Sequence, residues 1–313
     1  MRRVGHLAAL PAMRLPVAVH YTERRRRQRR QHAFCRELAR MALRSLHQEL
    51  TLYPKPGLVS PVDNGSHDDM DAATFLRSLF SLRRYFSDIA AAGMAGTPFG
   101  ELKRLGIEAE QRMLKATGGI NTHRGAIFCL GMLCAAIACC RSQEMTLSPQ
   151  AIRATLLIRW GDALTGHTSS TCSAETDASH GLRVAARHAV GGAREEGALG
   201  FPSVFEIALP QLRATLAAGR DWHCAKTDAL FALMAHVSDT NVYHRGGAAG
   251  AALVQQRSRD FLAQGGTADV AWLARAKALH HEFVQRRLSP GGAADLLAAA
   301  CLIHTACGGE LSA

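Results

Sequence analysis

From Phe34 onward the apolar residues of the chain recur at three- and four-residue spacing, with polar and charged residues between them. That period puts the apolar side chains on one face of a helix, and the two-residue alternation of a half-buried strand is almost absent. The pattern predicts helices near 34–51, 71–93, 98–116, 124–141, 148–164, 180–193, 203–218, 222–237, 246–264, 268–287 and 292–307. The breaks between them are short and rich in Gly, Pro, Asn and Asp. No long Ser/Gly or Pro linker divides them, and no repeat of fixed period is visible. The expected architecture is all-α: a single globular multi-helix domain over residues 33–313, preceded over residues 1–32 by a basic, disordered N-terminal tail.

Composition refines this picture only in part. A chain of 313 residues with 48% hydrophobic and 20% charged residues can bury a large core. The formal charge of +11 invites a nucleic-acid reading, but nine of those units lie in the first forty residues, where eleven arginines face only Glu23 and Glu37. The rest of the chain is close to neutral, and the run Arg24–Arg30 has no interleaved aromatic on which bases could stack. A solvated tail is expected, without a nucleic-acid partner. An Arg-rich, acid-poor start also resembles an organelle transit segment, although it has no apolar stretch of the secretory kind. Nine cysteines form no C-x-x-C pair and no zinc spacing, which points to a reduced, cytoplasmic protein. The 15-residue apolar run Ala126–Cys140 is too short for a comfortable membrane span and reads as a buried core helix, so no membrane association is expected.

Chemistry concentrates at junctions between helices. In PKPGLVSPVDNGSHDDMD (54–71) three prolines and two glycines fix an irregular backbone that delivers His67, Asp68, Asp69 and Asp71 to a helix start. Any one of these carboxylates could be an N-cap, but three within four residues repel one another and suit a bound cation. Oxygen ligands point to magnesium, which a nucleoside triphosphate would bring. Lys55, between prolines, is a candidate phosphate contact or a solvated lysine. In TGGINTHRG (117–125), Gly118 and Gly119 allow close backbone approach, while Asn121, Thr122, His123 and Arg124 offer donors at a helix N-terminus. That arrangement suits phosphate, or else a plain Gly C-cap followed by an N-cap; the spacing is not that of a P-loop.

Further along, SHG (179–181) and GGAREEGALGFP (191–202) carry His180, a group that titrates near neutral pH, and the pair Arg194 and Glu195, which belong to a site or to an exposed surface. DTNVYHRGG (239–247) and SPGGAADLLAA (289–299) again set glycines beside Asp239, Asn241, His244, Arg245, Ser289 and Asp295 at helix boundaries.

In this order the segments resemble the triphosphoribosyl-dephospho-CoA synthase family over roughly residues 34–308, and within it the malonate decarboxylase accessory enzyme, with the citrate lyase accessory enzyme as the near alternative. Arg124 stands where family members often carry Lys, which keeps the charge and changes the donor geometry. The resemblance implies an all-helical transferase acting on ATP and 3'-dephospho-CoA. The ribose 2'-hydroxyl attacks C1' of the ATP ribose, adenine leaves, and the product passes to another transferase that modifies an acyl-carrier protein. Such a reaction develops oxocarbenium character and needs negative charge near C1' and proton carriers. On this reading Asp68, Asp69 and Asp71 hold magnesium or stabilise the cation. Lys55, Asn121, Thr122, Arg124, Arg194, Asp239, Asn241 and Arg245 bind substrate and phosphate, and His123, His180 or Glu195 carries the proton. The competing readings are a magnesium-dependent helical hydrolase of nucleotide or ADP-ribose N-glycosidic bonds, and a scaffold that binds nucleic acid through the Arg run.

Overall fold

A computed structural model describes residues 17–169 and 192–309 and contains twelve α-helices among them. They are α1 (Val17–Leu50), α2 (Ala72–Ser81), α3 (Arg83–Met94), α4 (Phe99–Thr117), α5 (Arg124–Ser142), α6 (Pro149–Ser169), α7 (Ala193–Ala198), α8 (Leu209–Ala217), α9 (Trp222–His236), α10 (Thr240–Ala263), α11 (Trp272–Gln285) and α12 (Gly291–Ala306). A π-helical segment, Ser203–Ala208, leads into α8, where Pro210 has no N–H to give to the preceding turn. The chain is all-α, as its periodicity requires.

Helix α5 is the axis of the core. Ala126, Ile127 and all of Cys129–Cys140 are buried. This helix is the one among the described residues that is long and apolar enough to cross a membrane, and here it is enclosed by α3, α12, α6 and α4. Small residues allow the close approach. A Cβ on Gly93 of α3 would sit 2.3 Å from the Ala135 carbonyl, and one on Gly131 would collide with the Tyr85 hydroxyl, which instead donates to Ile127 O at 2.8 Å. Helix α1 lays Leu38, Ala39, Ala42 and Leu46 against α3 and α12. The second half packs around α9, with Phe231 stacked on Phe261 of α10 at 3.8 Å.

Several helix boundaries differ from the periodicity: α6 runs on to Ser169, past the expected 164, and the expected 203–218 helix divides into the π-helical segment and α8. Helix α1 continues backward through the arginine run to Val17, so these residues are helical; Glu23–Arg30 remain exposed, as a charge run should. The span 71–93 is two helices, because Leu82 sits fully buried at a break where its N–H bonds to Leu79 O and Phe80 O. Helix α10 begins at Thr240, ahead of the expected 246, and bends at Gly247, whose φ of 62° and ψ of −162° are open only to glycine. Helix α11 starts at Trp272, after a 3₁₀ turn (Gly266–Ala268) and beyond the expected 268. The expected helix at 180–193 lies almost wholly outside the described residues.

Candidate active site

The long connection 51–71 is pinned from several sides. Lys55 is buried, its Nζ 2.5 Å from Glu49 Oε1, and its carbonyl accepts from His280 Nδ1 at 2.8 Å while His280 Nε2 meets Asp63 Oδ1 at 3.0 Å. Burial lowers the Lys55 pKa, and Glu49 opposes that shift. Ser66 Oγ donates to Leu288 O at 2.6 Å. Gly57, at φ 70°, leaves room for the same carbonyl, which a Cβ there would strike.

This pinning brings the first, fourth and fifth motifs together. Arg245 donates to Ser66 O at 2.9 Å and to His67 Nδ1 at 3.1 Å; His67 Nε2, then the protonated nitrogen, lies 2.8 Å from Ser289 Oγ. Burial and the neighbouring Arg245 lower the His67 pKa, with Asp69 at 3.7 Å acting in the opposite sense. Asp239 caps α10 through Asn241 N at 2.9 Å and also accepts from Ala293 N of α12 at 3.1 Å. One buried carboxylate thus joins two helix N-termini, and burial raises its pKa against those hydrogen bonds. Asn241 is otherwise exposed, with its amide over Gly291.

The second motif meets the fifth at Gly125. A Cβ there would fall 2.1 Å from Asp295 Oδ2, so glycine is required for the α12 carboxylate to reach the first turn of α5. Burial, followed by the charges of Glu49 and Asp239, pushes the Asp295 carboxyl well above the usual range, while the N–H of Ala126 pulls it back. Gly118 and Gly119 hold positive φ with open space beyond them. His123, the N-cap residue of α5, is buried. Its Nδ1 lies 2.6 Å from Ser78 Oγ, its ring packs on Phe75, and its Nε2 is buried with no hydrogen-bond partner. Burial and Lys55 lower its pKa to about 3, so it is neutral at physiological pH. The Thr122 hydroxyl is likewise buried and unpaired, and Asn121 Oδ1 accepts from Arg124 N at 3.2 Å. Arg124 bonds Glu110 at 3.0 Å, and Arg194 on α7 feels both of them and leaves Nη1 buried without a partner.

Several sequence expectations change. The three aspartates do not form one cation cage: Asp71 caps α2 through Thr74 N at 2.7 Å, Asp68 is exposed and pairs with Arg287 at 3.3 Å, and Asp69 turns toward His67. Among the described residues no three His, Cys, Asp or Glu side chains stand close enough to hold a metal. Lys55 is a buried ion-pair partner and not a solvated lysine. Glu195 is exposed, whereas Glu196 beside it is the inward carboxylate, bonded to Ser203 Oγ at 2.6 Å and to Ser203 N at 3.2 Å. His180 lies outside the described residues. Glu49 carried no signal, because an isolated Glu in an amphipathic helix has no sequence feature that separates it from a surface residue.

The family described as ATP:dephospho-CoA triphosphoribosyl transferase (CitG) matches residues 35–311. Three bacterial relatives, each named a probable 2-(5''-triphosphoribosyl)-3'-dephosphocoenzyme-A synthase, show similarity over most of both chains. The one from Acinetobacter calcoaceticus is 40% identical, covering 85% of this chain and 89% of its own. Those from Pseudomonas fluorescens Pf-5 and Vibrio cholerae M66-2 are 41% and 35% identical, covering 85% and 86% of this chain and 90% and 88% of theirs. No solved structure matches the chain.

Proposed function

Because the chain belongs to the ATP:dephospho-CoA triphosphoribosyl transferase family, we propose that the residues gathered at the N-termini of α5, α10 and α12 carry out the transfer this family is named for. The enzyme is a triphosphoribosyl-dephospho-CoA synthase, and its substrates are ATP and 3'-dephospho-CoA. The observation that carries the site assignment is the meeting of four separated segments: His67 with Arg245 and Ser289, Asp239 with Ala293, and Gly125 with Asp295.

In the reaction the C1'–N bond to adenine breaks, a bond forms from C1' to the ribose 2'-oxygen of dephospho-CoA, and the hydroxyl proton ends on adenine. Carboxylates near C1' favour the developing positive charge, and helix N-termini with arginines favour the phosphates. Neutral His123 offers Nε2 as a hydrogen-bond partner to bound substrate and does not act as an imidazolium acid. Asp295, whose carboxyl favours the protonated state, and Asp239 stand closest to the α5 and α12 N-termini for proton handling. Asp68 and Asp69, exposed beside Arg287 and His67, would hold magnesium, which would shield the triphosphate charge; two carboxylates suffice for an ion that arrives with its nucleotide. Arg124, Arg194 and Arg245 supply positive charge, and Asn121, Thr122 and Asn241 line the same junctions.

The product is the precursor of a prosthetic group that a second transferase attaches to an acyl-carrier protein, in a cytoplasmic pathway serving malonate decarboxylase in preference to citrate lyase. The purified protein, incubated with ATP, magnesium and 3'-dephospho-CoA, is expected to release adenine one-for-one with a triphosphoribosyl adduct resolved by mass. Free sugar triphosphate without the adduct would mean a hydrolase, and ADP with phosphate, or no reaction in a folded sample, would end the proposal. Asp69→Asn is expected to cut turnover by orders of magnitude with an unchanged melt.

A further inference from the structure

A second charged cluster lies around Arg124, at the first turn of α5. Phe99, Lys103 and Glu110 fall four and seven residues apart and so share a stripe of α4. Glu110 holds Arg124 Nε at 3.0 Å, and the His167 ring, near the C-terminus of α6, packs on Phe99 with centroids 5.6 Å apart. Helix α7 packs against both α5 and α6 and brings in Arg194, which lies within electrostatic reach of Arg124 and His167; His167 also feels Lys103. The neighbouring acids of α4 are already engaged, since Glu101 and Glu108 both pair with Arg104 on another stripe. Glu110 is therefore the carboxylate set against Arg124 and Arg194.

Crowding like charges around a half-buried guanidinium is unfavourable unless an anion joins them. Arg194 Nη1 is buried with no hydrogen-bond partner, and so is the Thr122 hydroxyl at the mouth of α5. Unsatisfied donors of this kind, beside the N-terminus of a nineteen-residue helix, are what a phosphate chain would satisfy.

We propose that Lys103, Arg124, His167 and Arg194 form a polyphosphate-binding subsite at the N-terminus of α5. The chain it takes is the triphosphate of ATP or the diphosphate of dephospho-CoA, an identification that rests on the proposed reaction; the subsite itself does not.

Inorganic tripolyphosphate is titrated calorimetrically into the full-length enzyme, and the same variants are assayed for turnover. Arg194→Met and Lys103→Met are each expected to weaken tripolyphosphate binding by at least about tenfold, the loss of one charge-assisted hydrogen bond. Arg194→Lys should recover part of the loss. Arg104→Met, which removes the same charge from the same helix, should change binding by less than about twofold. A rise of KM confined to ATP identifies the triphosphate as the occupant, and one confined to dephospho-CoA identifies the diphosphate. If wild type binds no tripolyphosphate at millimolar concentration, or if Lys103→Met and Arg194→Met bind as wild type does, the subsite is wrong. Should Arg194→Met fail to fold, Lys103→Met, at an exposed position, decides the matter alone. Tripolyphosphate binding that is lost in the variants, in an enzyme that forms no adduct, would sink the proposed reaction and leave the subsite standing.

Discussion

Replacing Lys55 by Met removes the ammonium from an ion pair in which the two side chains are 2% and 7% exposed and the N···O distance is 2.5 Å. The Glu49 carboxylate would then be left in the core beside Asp295, whose carboxyl already feels its charge. Breaking one side of a buried pair costs about 3–5 kcal/mol, a fifth or more of the roughly 5–15 kcal/mol that stabilises a typical domain. Guanidinium melts followed by circular dichroism should show a lower midpoint with an unchanged slope. Making the pair uncharged, as Lys55→Met with Glu49→Gln, should recover most of the loss, because the penalty comes from the orphaned charge. The pH dependence has a definite sign. The folded Lys55 pKa is lowered, so in the window below the ordinary lysine value the unfolded chain binds a proton that the native state does not. Stability therefore rises with pH across that window, by at most about 1.4 kcal/mol per unit, and Lys55→Met should flatten this rise. A cost under about 1 kcal/mol for the single variant, or a double variant no more stable than the single, would refute the reasoning.

His123, with its pKa lowered to about 3, stays neutral as the unfolded chain takes up a proton below about 6.5. Stability should therefore fall on acidification through that interval, by up to about 1.4 kcal/mol per unit, and His123→Gln should remove the slope; identical pH profiles of the two melts would contradict the assignment. Gly125→Ala should drive Asp295 from the α5 N-terminus and lower turnover at least about tenfold, whereas Gly118→Ala meets open space and should cost only about 1 kcal/mol for its positive φ, a contrast read from parallel melts and rates. Asp71→Ala removes an N-cap and should cost about 1 kcal/mol while leaving turnover near wild type; a loss as deep as that of Asp69→Asn would restore Asp71 to the magnesium-binding carboxylates.

Periodicity alone determined that this is a helical protein, since a three- to four-residue apolar stripe can be buried only along a helix face. It also singled out α5, because a helix apolar on every side has to be enclosed. Motif order determined the family, and the glycine- and aspartate-rich junctions marked where chemistry would collect, since helix N-termini there present backbone donors and polar side chains together. Periodicity could not show the break at Leu82, where a local backbone turn interrupts an unbroken apolar pattern, or the early start of α10, where the Asp239 cap outweighs the signal of two glycines. Only the tertiary structure decided the role of each polar group. Asp71 and Asp68 are near neighbours in sequence, yet one caps a helix and the other reaches Arg287. Glu195 and Glu196 look alike, yet a rotation of about 100° around α7 sends one to solvent and the other to Ser203. Lys55 reads as a phosphate contact or a solvated lysine until Glu49 is seen beside it in the core. A residue's protonation and partners follow from burial and from charges brought near by distant segments, and those are properties of the packed chain.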